Sequence, residues 1–140
     1  MKILIALDGS DCSKLVQKYV TTHPALFDAP HDCMALTVVP DVPPHAAAVV
    51  GKNVVTNYIR EEAEKVLSPV RRFFEENGYN IKTQFKHGHA PEIIAETATK
   101  GAYDLIVMGS HGHSALGSLV TGSVTAKVLA YCKVPVLIVR

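Results

Sequence analysis

The stretch from Gly109 to Ser123 reads Gly-Ser-His-Gly-His-Ser-Ala-Leu-Gly-Ser-Leu-Val-Thr-Gly-Ser, and it concentrates residues suited to holding an anion. Glycines at 109, 112, 117 and 122 let backbone amides approach a charged group closely and adopt positive φ. Ser110, Ser114, Ser118 and Thr121 add hydroxyl donors between them. A helix predicted to start at Gly122 or Ser123 would contribute unpaired N–H groups and the positive end of its dipole. That combination is a phosphate cradle. Any one of these glycines reads as well as a turn residue, with Gly122 a tolerated break before a helix; their density between one strand and one helix is what selects phosphate.

The same residues limit the chemistry. A P-loop needs GxxxxGK followed by Ser or Thr, and Gly112 to Ser118 puts Ser118 where the lysine belongs. No Lys or Arg falls between Tyr103 and Thr125. Charge on a departing phosphate would therefore have to be met by backbone amides, a metal ion or a partner. Binding fits this loop and fast hydrolysis does not. A dinucleotide fold wants GxGxxG after an early strand with an acidic residue downstream, and the sequence has neither. A receiver domain needs an acceptor aspartate after its third strand, where His87, Gly88 and His89 stand instead.

Further candidates are weaker. Asp8, at the end of the first apolar run, can accept hydrogen bonds from ligand hydroxyls or an amino group, and before Gly9 and Ser10 it is equally a turn or cap residue. His87 with His89, and His111 with His113, form two H-x-H pairs that would bind a transition metal only if a third ligand converged; solvated loop histidines are the plainer reading. Cys12, Cys33 and Cys132 are odd in number and form no CxxC pair, which favours reduced thiols and a cytoplasmic setting.

The elements that must position these residues follow from periodicity. Ile3 to Leu7, Met34 to Val39, Ile81 to Lys86, Leu105 to Met108 and Val134 to Val139 read as strands. The first, fourth and fifth are almost continuously apolar, as strands covered on both faces are. Ile81 to Lys86 alternates with polar residues and belongs at an edge. Ser10 caps a helix with Leu15, Val16, Tyr19 and Val20 inward. A second carries Ile59, Ala63, Val66, Leu67, Val70, Phe73 and Phe74 on one stripe, is kinked or split at Pro69, and stops at Asn77 and Gly78. A third runs from Pro91 towards Gly101, and the last ends at Tyr131 with Val124, Val128 and Leu129 inward. Pro40 to Val54 lacks caps and periodicity and reads as a long loop. Alternating strands and helices predict an α/β fold, a doubly wound five-stranded parallel sheet with helices on both faces.

The spacing G-x2-G-x9-G-Ser at Gly109, Gly112, Gly122 and Ser123 resembles the ATP-binding signature of the universal stress protein family, in its UspA-like, ATP-binding subgroup. The likeness spans the whole chain, from Ile3-Leu-Ile-Ala-Leu-Asp8-Gly-Ser10 through Asp104-Leu-Ile-Val-Met-Gly109 to Val134-Pro-Val-Leu-Ile-Val139. Ala6 and Leu7 depart from the Pro and Thr or Val that many relatives have before the aspartate. The resemblance implies an adenine nucleotide alpha hydrolase-like, Rossmann-like sheet of order 3-2-1-4-5. It implies adenine and ribose near Asp8 and the backbone of Val38, and phosphates on Gly109, Gly112, Gly122, Ser123 and the amide of Val124. The ligand would be ATP, or ADP or AMP, with Mg or Mn held through the phosphates. It also implies a homodimer through Val134 to Val139, an apolar edge that Pro135 would only partly blunt. A nucleotide-responsive stress-response module with an unidentified protein partner is the leading expectation. A slow ATPase or nucleotidyl-transfer enzyme, and a nucleotide-free interaction or chaperone-like protein, are the alternatives.

Composition is consistent with this. At 140 residues the chain suits one domain over 1–140, and 48% apolar with 19% charged residues is an ordinary globular balance. The net charge of +1 comes with scattered Lys and Arg, so nucleic acid is not an expected partner. The apolar start at Met1 to Leu7 is too short for a signal core, and no run approaches a membrane span.

Overall fold

The computed structural model describes residues 1–28, 30–111 and 122–140. Its strands are β1 (Lys2–Ala6), β2 (Asp32–Val39), β3 (Lys82–His87), β4 (Leu105–Gly109) and β5 (Val136–Val139). The helices are α1 (Asp11–Thr22), α2 (Pro24–Phe27), α3 (Pro44–Val50), α4 (Lys52–Glu76), α5 (Ala90–Lys100) and α6 (Ser123–Tyr131). All strand pairs are parallel, in the order β3-β2-β1-β4-β5. Gly112, assigned to phosphate above, lies with His113 and Gly117 outside the described residues.

Alternation along β1 builds the two halves of the core. Ile3, Ile5 and Leu7 pack with Val16 and Val20 of α1 and Val70 and Phe74 of α4. Leu4 and Ala6 turn the other way, to Ile94 and Ala98 of α5 and Val128 of α6. Ile3, Leu4 and Ile5 are each fully buried, worth about 1.5–3 kcal/mol apiece in removal from water. A continuous apolar run thus marks a strand covered on both sides. At the β3 edge, Lys82 and Gln84 are exposed, as their alternation indicated.

The stripe of α4 is buried at Ile59, Ala63, Leu67, Val70 and Phe74, with Val66 and Phe73 half-buried beside it. The helix passes through Pro69 unbroken, so the expected split does not occur: packing of the stripe on both sides outweighs one missing N–H. Its end is a Schellman turn. The Tyr79 N–H donates to the Phe74 carbonyl (2.8 Å), the Gly78 N–H donates to Glu75 (3.0 Å), and Gly78 adopts φ +82°. The Tyr79 ring closes edge-on against Phe74.

Three expectations are corrected. Pro40 to Val54 is largely helical, because Pro44 starts α3 and the Ala-rich tract that follows has high helix propensity; none of α3 is buried, so no apolar periodicity betrayed it. Leu15 is 45% and Leu129 49% exposed, whereas Ser13 and Thr125 are buried. An apolar template overlooks a hydroxyl that turns inward to satisfy a backbone group. The last strand begins at Val136, Pro135 instead offering its carbonyl to the Ile106 N–H (2.9 Å).

Cys33 on β2 is half-buried, with its thiol directed at the Phe27 carbonyl. Burial first, then the charge of Asp32, pushes its pKa up from 9.0 to about 11. Between those values the folded chain keeps a proton that the unfolded chain has released, so this thiol's contribution to stability is complete below pH 9 and lost as pH rises towards 11. Urea denaturation of wild type and Cys33→Ala across that interval should show wild type losing stability faster; parallel curves would exclude the linkage.

Candidate functional site

Chain connections leave β1 in opposite directions, to β2 on one side and, later, to β4 on the other, and the crevice beyond the strand ends opens at that reversal. A cavity of about 650 Å³ occupies it. Asp8, Val38, Gly109, Gly122, Ser123 and Val124 all line it, so the six described residues selected from sequence meet in one place. Ala6, Leu36, Ile94 and Met108 supply an apolar wall suited to a flat ring.

Asp8 serves the turn as well as the cavity. Its Oδ1 accepts from the Ser10 N–H (2.9 Å) and the Ser13 hydroxyl (2.7 Å), while the Asp8 N–H donates to Ser13 Oγ (2.8 Å). Ser10 caps α1 by accepting from the Ser13 N–H (3.3 Å). This network holds the carboxylate at the cavity wall in one orientation.

The glycines act differently from expectation. Gly109 and Gly122 are not among the positive-φ residues, and Gly122 has φ −68°. What each needs is space. A Cβ on Gly109 would lie 2.8 Å from Cys12 Cβ, and one on Gly122 would lie 2.9 Å from the Ser110 carbonyl oxygen. Their missing side chains let the end of β4, the start of α1 and the start of α6 converge. The Gly122 amide is itself used, donating to Ser110 (2.5 Å). The first intrahelical bond of α6 runs from the Ala126 N–H to the Gly122 carbonyl (3.1 Å), leaving the amides of Ser123, Val124 and Thr125 ahead of it, and among the described residues no side chain caps the helix. Ser123 and Val124 are suited to an anion, and Gly122 lines the same cavity with its amide bonded to Ser110.

The buried hydroxyl of Thr125 donates to the Gly109 carbonyl (2.9 Å), pinning α6 to the end of β4. The buried Ser110 donates its N–H to the Val139 carbonyl (2.9 Å), and its hydroxyl meets His111 Nδ1 at 2.9 Å. His111 also reaches the cavity.

Sequence reasoning missed Glu62 and Lys65 of α4, which line the cavity and pair at 2.5 Å. The hydrogen bond to Glu62 and then its charge hold the Lys65 ammonium above the usual lysine range. The absence of cations between Tyr103 and Thr125 therefore does not leave the cavity without one. An acid and a base three apart on the polar face of a helix carry no mark of this in sequence, since any solvated face looks the same. The histidines stay apart: His87 meets Asp41 at 2.5 Å and His89 meets Glu92 at 3.6 Å. Among the described residues no three metal-ligating side chains converge.

The sequence profile of the universal stress protein family matches residues 1–140. The chain belongs to the universal stress protein family. A universal stress protein of Methanocaldococcus jannaschii is 35% identical over 141 residues, covering 99% of this chain and 81% of that protein. One from Synechocystis sp. is 35% identical over 140 residues, covering 99% of this chain and 42% of that protein. Universal stress protein UspA from Lactobacillus plantarum has the same fold, with a TM-score of 0.83, 23% identity and coverage of 100% of this chain and 97% of that one. The architecture is the adenine nucleotide alpha hydrolase-like sheet of order 3-2-1-4-5. Other proteins of this fold have been solved with adenine nucleotides. They include a universal stress protein with cAMP (22% identity, TM-score 0.65, 100% and 97% coverage), one from Archaeoglobus fulgidus with dAMP (19%, 0.66, 100% and 98%) and one from Arabidopsis thaliana with AMP (14%, 0.68, 99% and 90%). Among the described residues of this universal stress protein, no helix is long and apolar enough to cross a membrane.

Thr125→Val keeps the shape of the side chain and removes its hydrogen bond to Gly109. Loss of about 1 kcal/mol of stability is expected by urea denaturation. A variant as stable as wild type would show that this bond does not hold α6 in place.

Proposed function

We propose that the cavity binds an adenine nucleotide, ATP in preference, and that occupancy makes this universal stress protein a regulatory module rather than a fast enzyme. The observation that carries the reading is the joint lining of one 650 Å³ cavity by an apolar wall, the oriented Asp8 carboxylate and the first residues of α6. The wall at Ala6, Leu36 and Met108 suits the adenine, and Val38, which lines the same cavity, would meet its edge through its backbone. Asp8 suits ribose hydroxyls. Ser123 and the Val124 amide suit phosphate, and Gly109 and Gly122 make room for the approach. Complexes of cAMP, dAMP and AMP with proteins of the same fold support an adenine ligand. Magnesium or manganese would enter through the phosphates, with no chain ligand set required.

Isothermal calorimetry should detect ATP binding, weakened about tenfold or more by Asp8→Ala, which removes the hydrogen bonds of a charged acceptor. Mass spectrometry of freshly purified, denatured protein should release an adenine nucleotide. No heat at millimolar ATP, together with no released nucleotide, would reject the reading.

The proposal includes a homodimer through the edge at Val134 to Val139. Val136, Leu137 and Ile138 are only half-buried, and a two-fold pairing of last strands would cover both exposed edges at once. Sedimentation equilibrium should return the mass of two chains. A single-chain mass at every micromolar concentration would remove the dimer without touching the ligand.

A further inference from the structure

We infer that Lys65 reads the outer phosphates of a nucleotide in the cavity, with Glu62 competing against those phosphates for its ammonium. The inference rests on the adenine-nucleotide reading above and concerns how the site tells a triphosphate from a monophosphate. Its starting point is the charge of the lining. Among the described residues the cavity presents two carboxylates, Asp8 and Glu62, and one lysine, Lys65. Each phosphate added to a nucleoside brings more negative charge towards those carboxylates, and the amides of one helix start are a partial charge only.

The backbone of α4 fixes where this lysine can act. Ile59, Ala63 and Leu67 are buried, which sets the rotation of the helix and leaves Glu62, Lys65 and Val66 together on the adjoining face. Val66 packs 3.3 Å from the position of a Cβ on Gly9, so this face is pressed against the turn that follows β1. Lys65 also borders a second hollow of about 400 Å³ formed with Gly9, Lys14 and Pro69, and its side chain therefore stands on the ridge between the two spaces. The Lys65 side chain is 71% exposed and Glu62 33% exposed, so the ammonium can leave its partner at little desolvation cost. In this arrangement Glu62 parks the ammonium at the cavity edge when phosphate is absent and yields it when a polyphosphate arrives.

Calorimetric titration with AMP and ATP, in magnesium-free buffer of low ionic strength, tests this in wild type, Lys65→Gln, Lys65→Arg and Glu62→Gln. The readout is the ratio of ATP to AMP affinity. That ratio should fall about fivefold in Lys65→Gln, the size of one exposed charge pair, and be retained in Lys65→Arg. It should rise in Glu62→Gln, which frees the ammonium. A Lys65→Gln ratio equal to wild type, or a Glu62→Gln ratio that falls, overturns the role of Lys65 while leaving nucleotide binding intact. Wild type binding neither nucleotide overturns the underlying reading itself. The opposite sign demanded of Glu62→Gln keeps the inference open to refutation even if Lys65→Gln does not fold.

Discussion

Close approach of three backbone segments, at the end of β4, the start of α1 and the start of α6, is the constraint on which the site depends. It is possible because Gly109 and Gly122 carry no Cβ, which would come within 3 Å of Cys12 and of the Ser110 carbonyl. Once the segments meet, short bonds lock them: Thr125 to Gly109, the Gly122 amide to Ser110, and the Ser110 amide to Val139. The α6 amides ahead of the first intrahelical bond then border a cavity instead of bulk water, where a phosphate gains most from them. Flexibility of the glycines plays no part at these two positions.

The sheet supplies the platform for that junction. Burial of β1 and β4 on both faces keeps the strand ends at a fixed height, and the reversal of strand order between them leaves a crevice that no crossover fills. The Asp8 turn exploits the same geometry from the opposite wall. Its carboxylate bonds Ser10 and Ser13 in the turn that leads into α1 and also lines the cavity. The turn role is seen directly in the bonds to Ser10 and Ser13, and the ligand role belongs to the proposal, for which the same carboxylate lines the cavity.

Charge enters from a different part of the chain. Lys65 and Glu62 come from the middle of a 25-residue helix whose buried stripe is devoted to the core. They stand beside the buried Ala63, and the packing of Val66 beside Gly9 brings their face to the cavity edge. The site thus combines a rigid backbone cradle with a side chain free to change partners. The first is suited to holding a ligand, the second to distinguishing one from another.

How much was legible beforehand follows from range. Strands such as Ile3 to Leu7, the caps at Ser10 and Gly78, and the glycine-spaced loop are local patterns, so the succession of five strands with the longer helices α1, α4, α5 and α6 between them, the sheet class and the candidate residues Asp8, Val38, Gly109, Gly122, Ser123 and Val124 could be read from the sequence. The helix over Pro44 to Val50 escaped because it buries nothing, and the inward turns of Ser13 and Thr125 escaped because polar side chains break the apolar pattern while satisfying distant backbone atoms. That Gly109 and Gly122 are needed for space, that the Gly122 amide is already bonded, and that a lysine reaches the cavity became visible in the folded chain. Each of those facts is a contact between segments far apart in the chain, and contacts of that kind exist only after folding has brought the segments together.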